Sequence, residues 1–457
     1  MGKSALKSNT ARTLFPRIAG LLEVLLLTVV YYIIWDQYRV ILQDGMFLFR
    51  GKVILMGVYA VIAYVVFKVC DSFDFGSLKL LDVTVSQWIS VLLVNFITWL
   101  QICLIANGVI SAMPMVRLTL IDFVICFLWS LFAKKLYRKF CGIKDALLIY
   151  GTDSALELKD KMDHRSELYQ VTEAVSTLAS SPVSLSEIFR AVDRHGAVII
   201  NDVTAELRND ILKYCFGGGK VTYMVPKITD ILMKGTSDIS SFDTPLVKMR
   251  NEGLLPHEAF IKRAADLLLS AMTLLILSPL FLVISLAIKL SDGGPVFYRQ
   301  KRLTLNGREF DILKFRSMVP NAEQVTGAVM AEEDDPRITK VGRVLRACRL
   351  DELPQLINIF LGDMSIVGPR PERPELVAEY VKNTPEFAFR TKVKGGLTGY
   401  AQVYGRYKTG TYDKLRLDLI YIENYSLLLD IKLMLMTPQI LFRKESSEGV
   451  DRKETHS

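Results

Sequence analysis

The chain has 457 residues, 51% of them hydrophobic, with a mean hydropathy of +0.28 and a formal net charge of +8. That length provides for two or three domains, and that apolar content excludes a wholly soluble protein. The six cysteines and four histidines are scattered without a Cys-x-x-Cys pair, which argues against a disulfide framework or a zinc site and fits a reducing compartment.

Four apolar segments come first, Ile18 to Trp35, Val53 to Val69, Trp88 to Ala106 and Leu118 to Ala133, each close to the ~20 residues that cross a bilayer core. The first lacks a small-residue cleavage pattern and is followed by three more, so a retained membrane domain is expected rather than a signal peptide. Lys3, Lys7, Arg12 and Arg17 precede the first segment, and Lys134, Lys135, Arg138 and Lys139 follow the fourth. The positive-inside rule then puts both ends of this four-helix set in the cytoplasm. A transporter would need ionisable residues inside the spans; Glu23 and Asp122 are the main ones and both lie close to segment ends.

From about Gly142 to Gly253 the composition is that of a soluble α/β region. Ala146 to Tyr150 and Ala197 to Ile200 read as buried strands, and Leu185 to Val192 and Leu207 to Cys215 as helices, which together predict a small parallel sheet. The turn at Gly151 invites a nucleotide-binding reading. It lacks the G-x-G-x-x-G spacing that lets backbone approach a pyrophosphate, so a structural or regulatory spacer is preferred.

A fifth apolar segment, Leu267 to Ile288, is interrupted by Ser278 and Pro279. Proline removes a backbone donor and clashes with the preceding turn, so a kink is expected there. Lys262 and Arg263 stand before the segment and Lys289, Arg299, Lys301 and Arg302 after it, pulling both ends to one face. A re-entrant helix satisfies this. A kinked spanning helix is the alternative, and would put everything after residue 290 across the membrane.

Beyond it, Val296 to Gln300 and Phe310 to Phe315 read as strands, and Ile338 to Leu350 and Pro374 to Lys382 as helices. The first of these helices carries Val341, Leu345 and Leu350 on one side with Arg343, Arg346 and Arg349 nearby, a pattern suited to the membrane surface. It ends in Arg349 to Gln355, RLDELPQ, where Asp351 and Glu352 follow a stretch holding eleven Lys or Arg between Arg299 and Arg349. Two adjacent carboxylates among so many cations suit a phosphate or a metal ion; a solvated helix end with ion pairs is the plain alternative. The positive charge flanks apolar segments, which suits anionic head groups and phosphorylated substrates. Nucleic acid is disfavoured because no helix-turn-helix, zinc or stacking pattern appears.

Three further strings accompany the carboxylate pair: Lys314 to Met318 (KFRSM), Gly368 to Pro371 (GPRP) and Gly396 to Arg406 (GLTGYAQVYGR). Together they resemble the bacterial sugar transferase family, the monotopic polyprenyl-phosphate phosphoglycosyl transferases, over about Lys262 to Arg443. The upstream regions look like those of the long members. The resemblance implies a membrane α+β protein: a four-helix transmembrane bundle at 1–139, a Rossmann-like α/β domain at 140–255, and a catalytic domain at 256–443 with a re-entrant helix at 264–290 broken at Ser278 and Pro279. A disordered tail would occupy 444–457. Long members are the basis for expecting a homodimer.

The activity implied is transfer of a sugar 1-phosphate from a UDP-sugar to undecaprenyl phosphate, with UMP released, at the cytoplasmic face of a bacterial inner membrane. This is the opening membrane step of exopolysaccharide or capsule synthesis. By resemblance Asp351 is the nucleophile and Glu352 helps it hold Mg²⁺. Lys314, Arg316, Arg346 and Arg370 are the candidate phosphate clamp, because a carboxylate attacking a diphosphate needs its charge neutralised. Glu372, with Arg373, is a further candidate for donor contact. Tyr404 stands where the family more often has a small polar residue, and Asp418 to Tyr425 resembles its closing helix. Glucose is the preferred sugar, with galactose the alternative and an N-acetylated amino sugar less favoured. In another class, a non-catalytic membrane scaffold or regulator of polysaccharide assembly competes; the intact pair with Lys314 and Arg370 argues against it.

Overall fold

The computed structural model describes residues 2–42, 49–142, 144–152, 156–163, 169–178, 183–239, 243–244, 246–251, 253–319, 335–405 and 409–441; Arg406 and the tail expected at 444–457 lie outside them. Packing divides the chain into two units, Met1–Val225 and Pro226–Ser457.

In the first unit, α1 (Gly2–Leu42), α2 (Phe49–Val69), α3 (Leu80–Ile105) and α4 (Met113–Cys141) cover the four expected apolar segments. Each is packed against its neighbour in sequence, and α1 also meets α4. All four contain stretches long and apolar enough to cross a membrane. Among these helices Tyr31 stacks on Tyr59 at 4.3 Å between ring centroids. Glu23 and Asp122 depart from expectation. Both are fully buried and well inside their helices, because α1 begins at Gly2, far ahead of the apolar stretch, and α4 at Met113. Gln87 donates to Glu23 at 3.2 Å and accepts from Ser130 at 2.7 Å, while Asn95 donates to Asp122 at 3.0 Å. Amide and hydroxyl partners of this kind tie apolar helices together.

The same unit holds four parallel strands, β1 (Lys144–Tyr150), β2 (Tyr169–Ser176), β3 (Ala197–Asn201) and β4 (Val221–Met224), in the order β2-β1-β3-β4. Alternation along β1 sends Leu147 and Ile149 to one face, against helices α6 (Leu185–Arg194) and α7 (Ala205–Gly217), and Ala146 and Leu148 to the other, near α5 (Glu157–Asp163). A Cβ on Gly151 would lie 2.1 Å from the Asp202 carbonyl, so this glycine is explained by the close approach of two strand ends.

The second unit begins with α8 (Ile228–Leu232) and a hairpin of β5 (Ser237–Ile239) and β6 (Leu246–Lys248). Ile228 and Ile231 belong to the same core as Phe387, Leu415, Leu419, Tyr421 and Leu433. Residues 226–251 therefore go with the C-terminal unit, not with the sheet; so short an apolar turn has too few repeats for periodicity to assign.

Helix α9 (Pro256–Asp292) is helical throughout. Pro279 leaves the Leu275 carbonyl without its usual donor, and the Ser278 hydroxyl donates to that carbonyl at 2.8 Å. Both flanks of α9 dock on one body. At the start, Lys262 pairs with buried Asp430, Arg263 donates to the Ile359 and Phe360 carbonyls at 2.7 and 2.8 Å, and Asp266 accepts from the Ile366 N–H at 2.9 Å. Near the end, Ile284 and Ile288 pack on Phe315 and Leu345. Between these anchors the outer face is bare, with Leu275 77% and Ile276 69% exposed.

The antiparallel hairpin β7 (Phe297–Leu303) and β8 (Glu309–Phe315) follows, then α10 (Lys340–Ala347), a 3₁₀ turn at Leu350–Glu352 and α11 (Gln355–Leu361). The apolar stripe of α10, read from sequence as membrane-facing, instead packs through Val341, Leu345 and Leu350 on α9 and Phe315. Its periodicity was real, and its partner is protein. Strands β9 (Ser365–Val367) and β10 (Gly396–Thr398) pair in parallel, with α12 (Pro374–Asn383) between them in sequence, and α13 (Tyr400–Tyr404), α14 (Thr411–Glu423) and α15 (Leu427–Leu441) close the unit.

Lys262→Met leaves Asp430 buried without its cation and is expected to destabilise the fold by about 3–5 kcal/mol, whereas adding Asp430→Leu recovers most of the loss. Thermal unfolding of the two detergent-solubilised variants checks this.

Candidate active site

Three segments converge on Glu352. Phe310, Ile312 and Lys314 share one face of β8, and the first two pack on Leu356 and Ile359 of α11, so the pleat carries Lys314 toward the turn that precedes α11. Lys314 Nζ lies 2.9 Å from Glu352 Oε1. Arg370 Nη2 lies 2.6 Å from the same oxygen. The turn itself is set by Arg349, which holds the left-handed conformation at φ 53° and swings the chain from α10 into Leu350–Glu352.

The two carboxyls are driven apart. For Glu352, burial opposes the charged form, but Arg370 and Lys314 outweigh it and hold the group well below the ordinary range. For Asp351, burial is the largest influence and raises it; Lys314 and Arg346 counter only part of this, and the neighbouring Glu352 charge adds to the rise. One carboxylate is thus a fixed charge committed to cations. The other is less stable as an anion and reacts more readily with an electrophile or cation.

Arg370 is braced from behind. Its carbonyl accepts from Arg390 Nη2 at 3.0 Å, and Arg390 Nε pairs at 2.7 Å with Asp418, both residues being deeply buried. Arg302 donates to the Pro371 carbonyl at 3.1 Å, and the Leu303 N–H to the Glu372 carbonyl at 3.0 Å. Gly368, Gly396 and Gly399 allow the backbones beneath this loop to touch: a Cβ on Gly396 would sit 2.1 Å from the Gly368 nitrogen, and one on Gly399 2.1 Å from the Gly368 oxygen.

Of the residues singled out by sequence, Asp351, Glu352, Lys314 and Arg370 come together, and Arg346 is near enough to act on the Asp351 charge. Arg316 does not join them. Its guanidinium is buried against Asp292 and donates to the Pro295 carbonyl at 2.7 Å, tying the end of α9 to β8. Glu372 faces Lys414, with Arg302 at 3.7 Å and Arg390 at 3.9 Å; burial disfavours its charge, but Lys414 and Arg390 more than compensate. It supports the Arg370 loop rather than offering a free donor contact. Ser278 and Pro279 lie together on the bare stretch of α9. Tyr404 packs on α15, with its hydroxyl 3.5 Å from the Met436 sulfur. Arg390 and Asp418 were not assigned a role from sequence; an Asp inside the apolar run of α14 was the available signal.

Residues 257–444 match the bacterial sugar transferase family. The chain is 38% identical over 255 residues to a UDP-N-acetylgalactosamine-undecaprenyl-phosphate N-acetylgalactosaminephosphotransferase of Aeromonas hydrophila, covering 53% of this chain and 59% of that one. It is 41% identical over 212 residues to a UDP-glucose:undecaprenyl-phosphate glucose-1-phosphate transferase of Escherichia coli K12, covering 45% and 43% of the two chains. A Caulobacter vibrioides protein of the same printed activity is 42% identical over 206 residues, which is 43% of this chain and 77% of that relative. The match thus spans about half the length of the first two relatives.

The raised Asp351 carboxyl gives a signed expectation. A folded-state pKa above the unfolded value means that ionisation costs stability, a cost absent below the unfolded pKa and complete once pH exceeds the folded one. Asp351→Asn should therefore raise the melting temperature at about pH 8 and lose that advantage toward about pH 4, near the ordinary aspartate value. Melting curves across that range check it.

Proposed function

The chain belongs to the bacterial sugar transferase family, and on that premise we propose that it transfers glucose 1-phosphate from UDP-glucose to undecaprenyl phosphate, releasing UMP. The observation that carries this reading is the split pair: Asp351 with a raised carboxyl beside Glu352, which is committed to Lys314 and Arg370. In the first step an Asp351 oxygen attacks the β-phosphorus of the donor. The bridging P–O bond breaks, UMP departs with the electron pair, and the sugar phosphate is left on Asp351. In the second step an oxygen of the lipid phosphate attacks the same phosphorus, and the Asp351–phosphorus bond breaks to restore the carboxylate.

Lys314 and Arg370 offset the charge of the diphosphate, and the braced backbone of the Arg370 loop stays in place as they do so. Two adjacent carboxylates form an all-oxygen set that suits Mg²⁺, which is usually held by one or two carboxylates together with substrate phosphates. Asp351 and Glu352 would hold it, and it would supply charge neutralisation on the departing UMP.

Support for a re-entrant α9 comes from its docking. Contacts at Lys262, Arg263 and Asp266 and again from Leu280 to Ile288 fall on one unit, so a spanning helix would drag that unit into the bilayer. With both flanks on one side and Lys or Arg at each, the positive-inside rule supports the cytoplasmic face of the inner membrane for the site, where a water-soluble nucleotide sugar would meet a lipid acceptor. The N-acetylgalactosamine relative makes that sugar the observation-based second choice of donor.

Membranes carrying the chain, given undecaprenyl phosphate and Mg²⁺, should release UMP from UDP-glucose in preference to UDP-galactose and UDP-N-acetylgalactosamine. Asp351→Asn should lower the rate by roughly 10³-fold or more, and EDTA should abolish release until Mg²⁺ is restored. Exchange of labelled UMP into the UDP-sugar without lipid should proceed, because the first step is reversible on the enzyme. No release from any sugar and no exchange would favour a non-catalytic scaffold.

A further inference from the structure

Gln355 is 1% exposed, and its side-chain Nε2 has no hydrogen-bond partner among the described residues. A buried amide donor without an acceptor is expensive, and native interiors rarely keep one without a use. Its position says what that use is. Leu353 and Pro354 hold right-handed helical angles, so the helical stripe continues from Glu352 through Gln355 to Asn358, three residues apart at each step. Both outer members of that stripe are fastened to β8. Glu352 meets Lys314, while Asn358 donates to the Asp311 carbonyl at 2.9 Å and accepts from the Leu313 N–H at 2.9 Å. Gln355 lies between these anchors, and a helical side chain leans over the turn before it, here the one that carries Asp351 and Glu352.

Lys314 and Arg370 both bind the Glu352 carboxylate, chiefly at Oε1, with Arg370 Nη1 also 3.5 Å from Oε2. If they neutralise the donor diphosphate, as the proposed function requires, Glu352 must give up part of that pairing while it stays largely out of water. We propose that Gln355 is a positioning residue which donates its amide N–H to the Glu352 carboxylate when Lys314 and Arg370 turn to the phosphates, keeping the carboxylate pair in place through turnover. The inference rests on the catalytic reading of that pair.

The test is Gln355→Met in the full chain, which keeps the length and removes the donor. Because an unpaired polar group leaves the interior, the melting temperature should rise by about 2–4 °C. In the same protein kcat for UMP release should fall roughly 10-fold, with KM for the UDP-sugar changed by less than about 3-fold. Gln355→Glu supplies a second reading, since its carboxyl donates only when protonated. Its kcat relative to wild type should climb as pH is lowered from about 8 to about 6. Unchanged kcat in Gln355→Met, a fall in melting temperature, failure to fold, or a flat pH ratio in Gln355→Glu each overturns the inference while the wild type is active. A wild type that releases no UMP overturns the proposed function and this inference with it.

Discussion

One partly buried carboxylate, Glu352, organises the C-terminal unit. Taking Glu352 out of water costs several kcal/mol unless cations and hydrogen bonds return it, and two cations from distant parts of the chain do so, both of them at Oε1. That requirement fixes β8, the Leu350–Glu352 turn and the Gly368–Glu372 loop relative to one another. Asp351 occupies the same low-dielectric surroundings without such bonds, so the two neighbours differ in chemistry though they are adjacent in sequence. The difference comes from which side chain points at the cations.

Around this centre the ion pairs are nested. Arg370 reaches Glu352 with its side chain while its carbonyl is held by Arg390, which is itself held by Asp418. Lys414 and Arg302 hold Glu372 on the other side of Pro371. Prolines on either side of Arg370 limit its backbone freedom further. A guanidinium mounted in this way has little backbone entropy left to lose, which suits the phosphate contact proposed for it.

Much of this was legible in the sequence, and the reasons are local. Length and hydropathy located α1 to α4 and α9, alternation located β7 and β8, and the density of cations around Asp351 and Glu352 marked the candidate site. The failures are of another kind. Arg316 sits in the same short string as Lys314, two residues on, yet the strand ends between them, and Lys314 turns to Glu352 while Arg316 turns to Asp292 and the Pro295 carbonyl. The stripe of α10 announces an apolar partner without saying whether that partner is lipid or protein. Arg390 meets Asp418 across 28 residues, and no spacing rule predicts a pair closed by tertiary packing. Glu23 and Asp122 were misplaced because hydropathy marks the hydrocarbon-length stretch and not the whole helix.

The docking of α9 at both flanks has a mechanical corollary. A helix that spans a membrane can tilt to suit the bilayer it finds, but one clamped at two points to a rigid body has no such freedom. The depth to which its bare apolar arc reaches is then a property of the protein. With α9 re-entrant as proposed, thicker or thinner membranes would deform around it, at fractions of a kcal/mol per Å of mismatch. On the proposed re-entrant reading, the height of Asp351 relative to the lipid head groups would be set once, at folding, and would be the same in every membrane the chain enters.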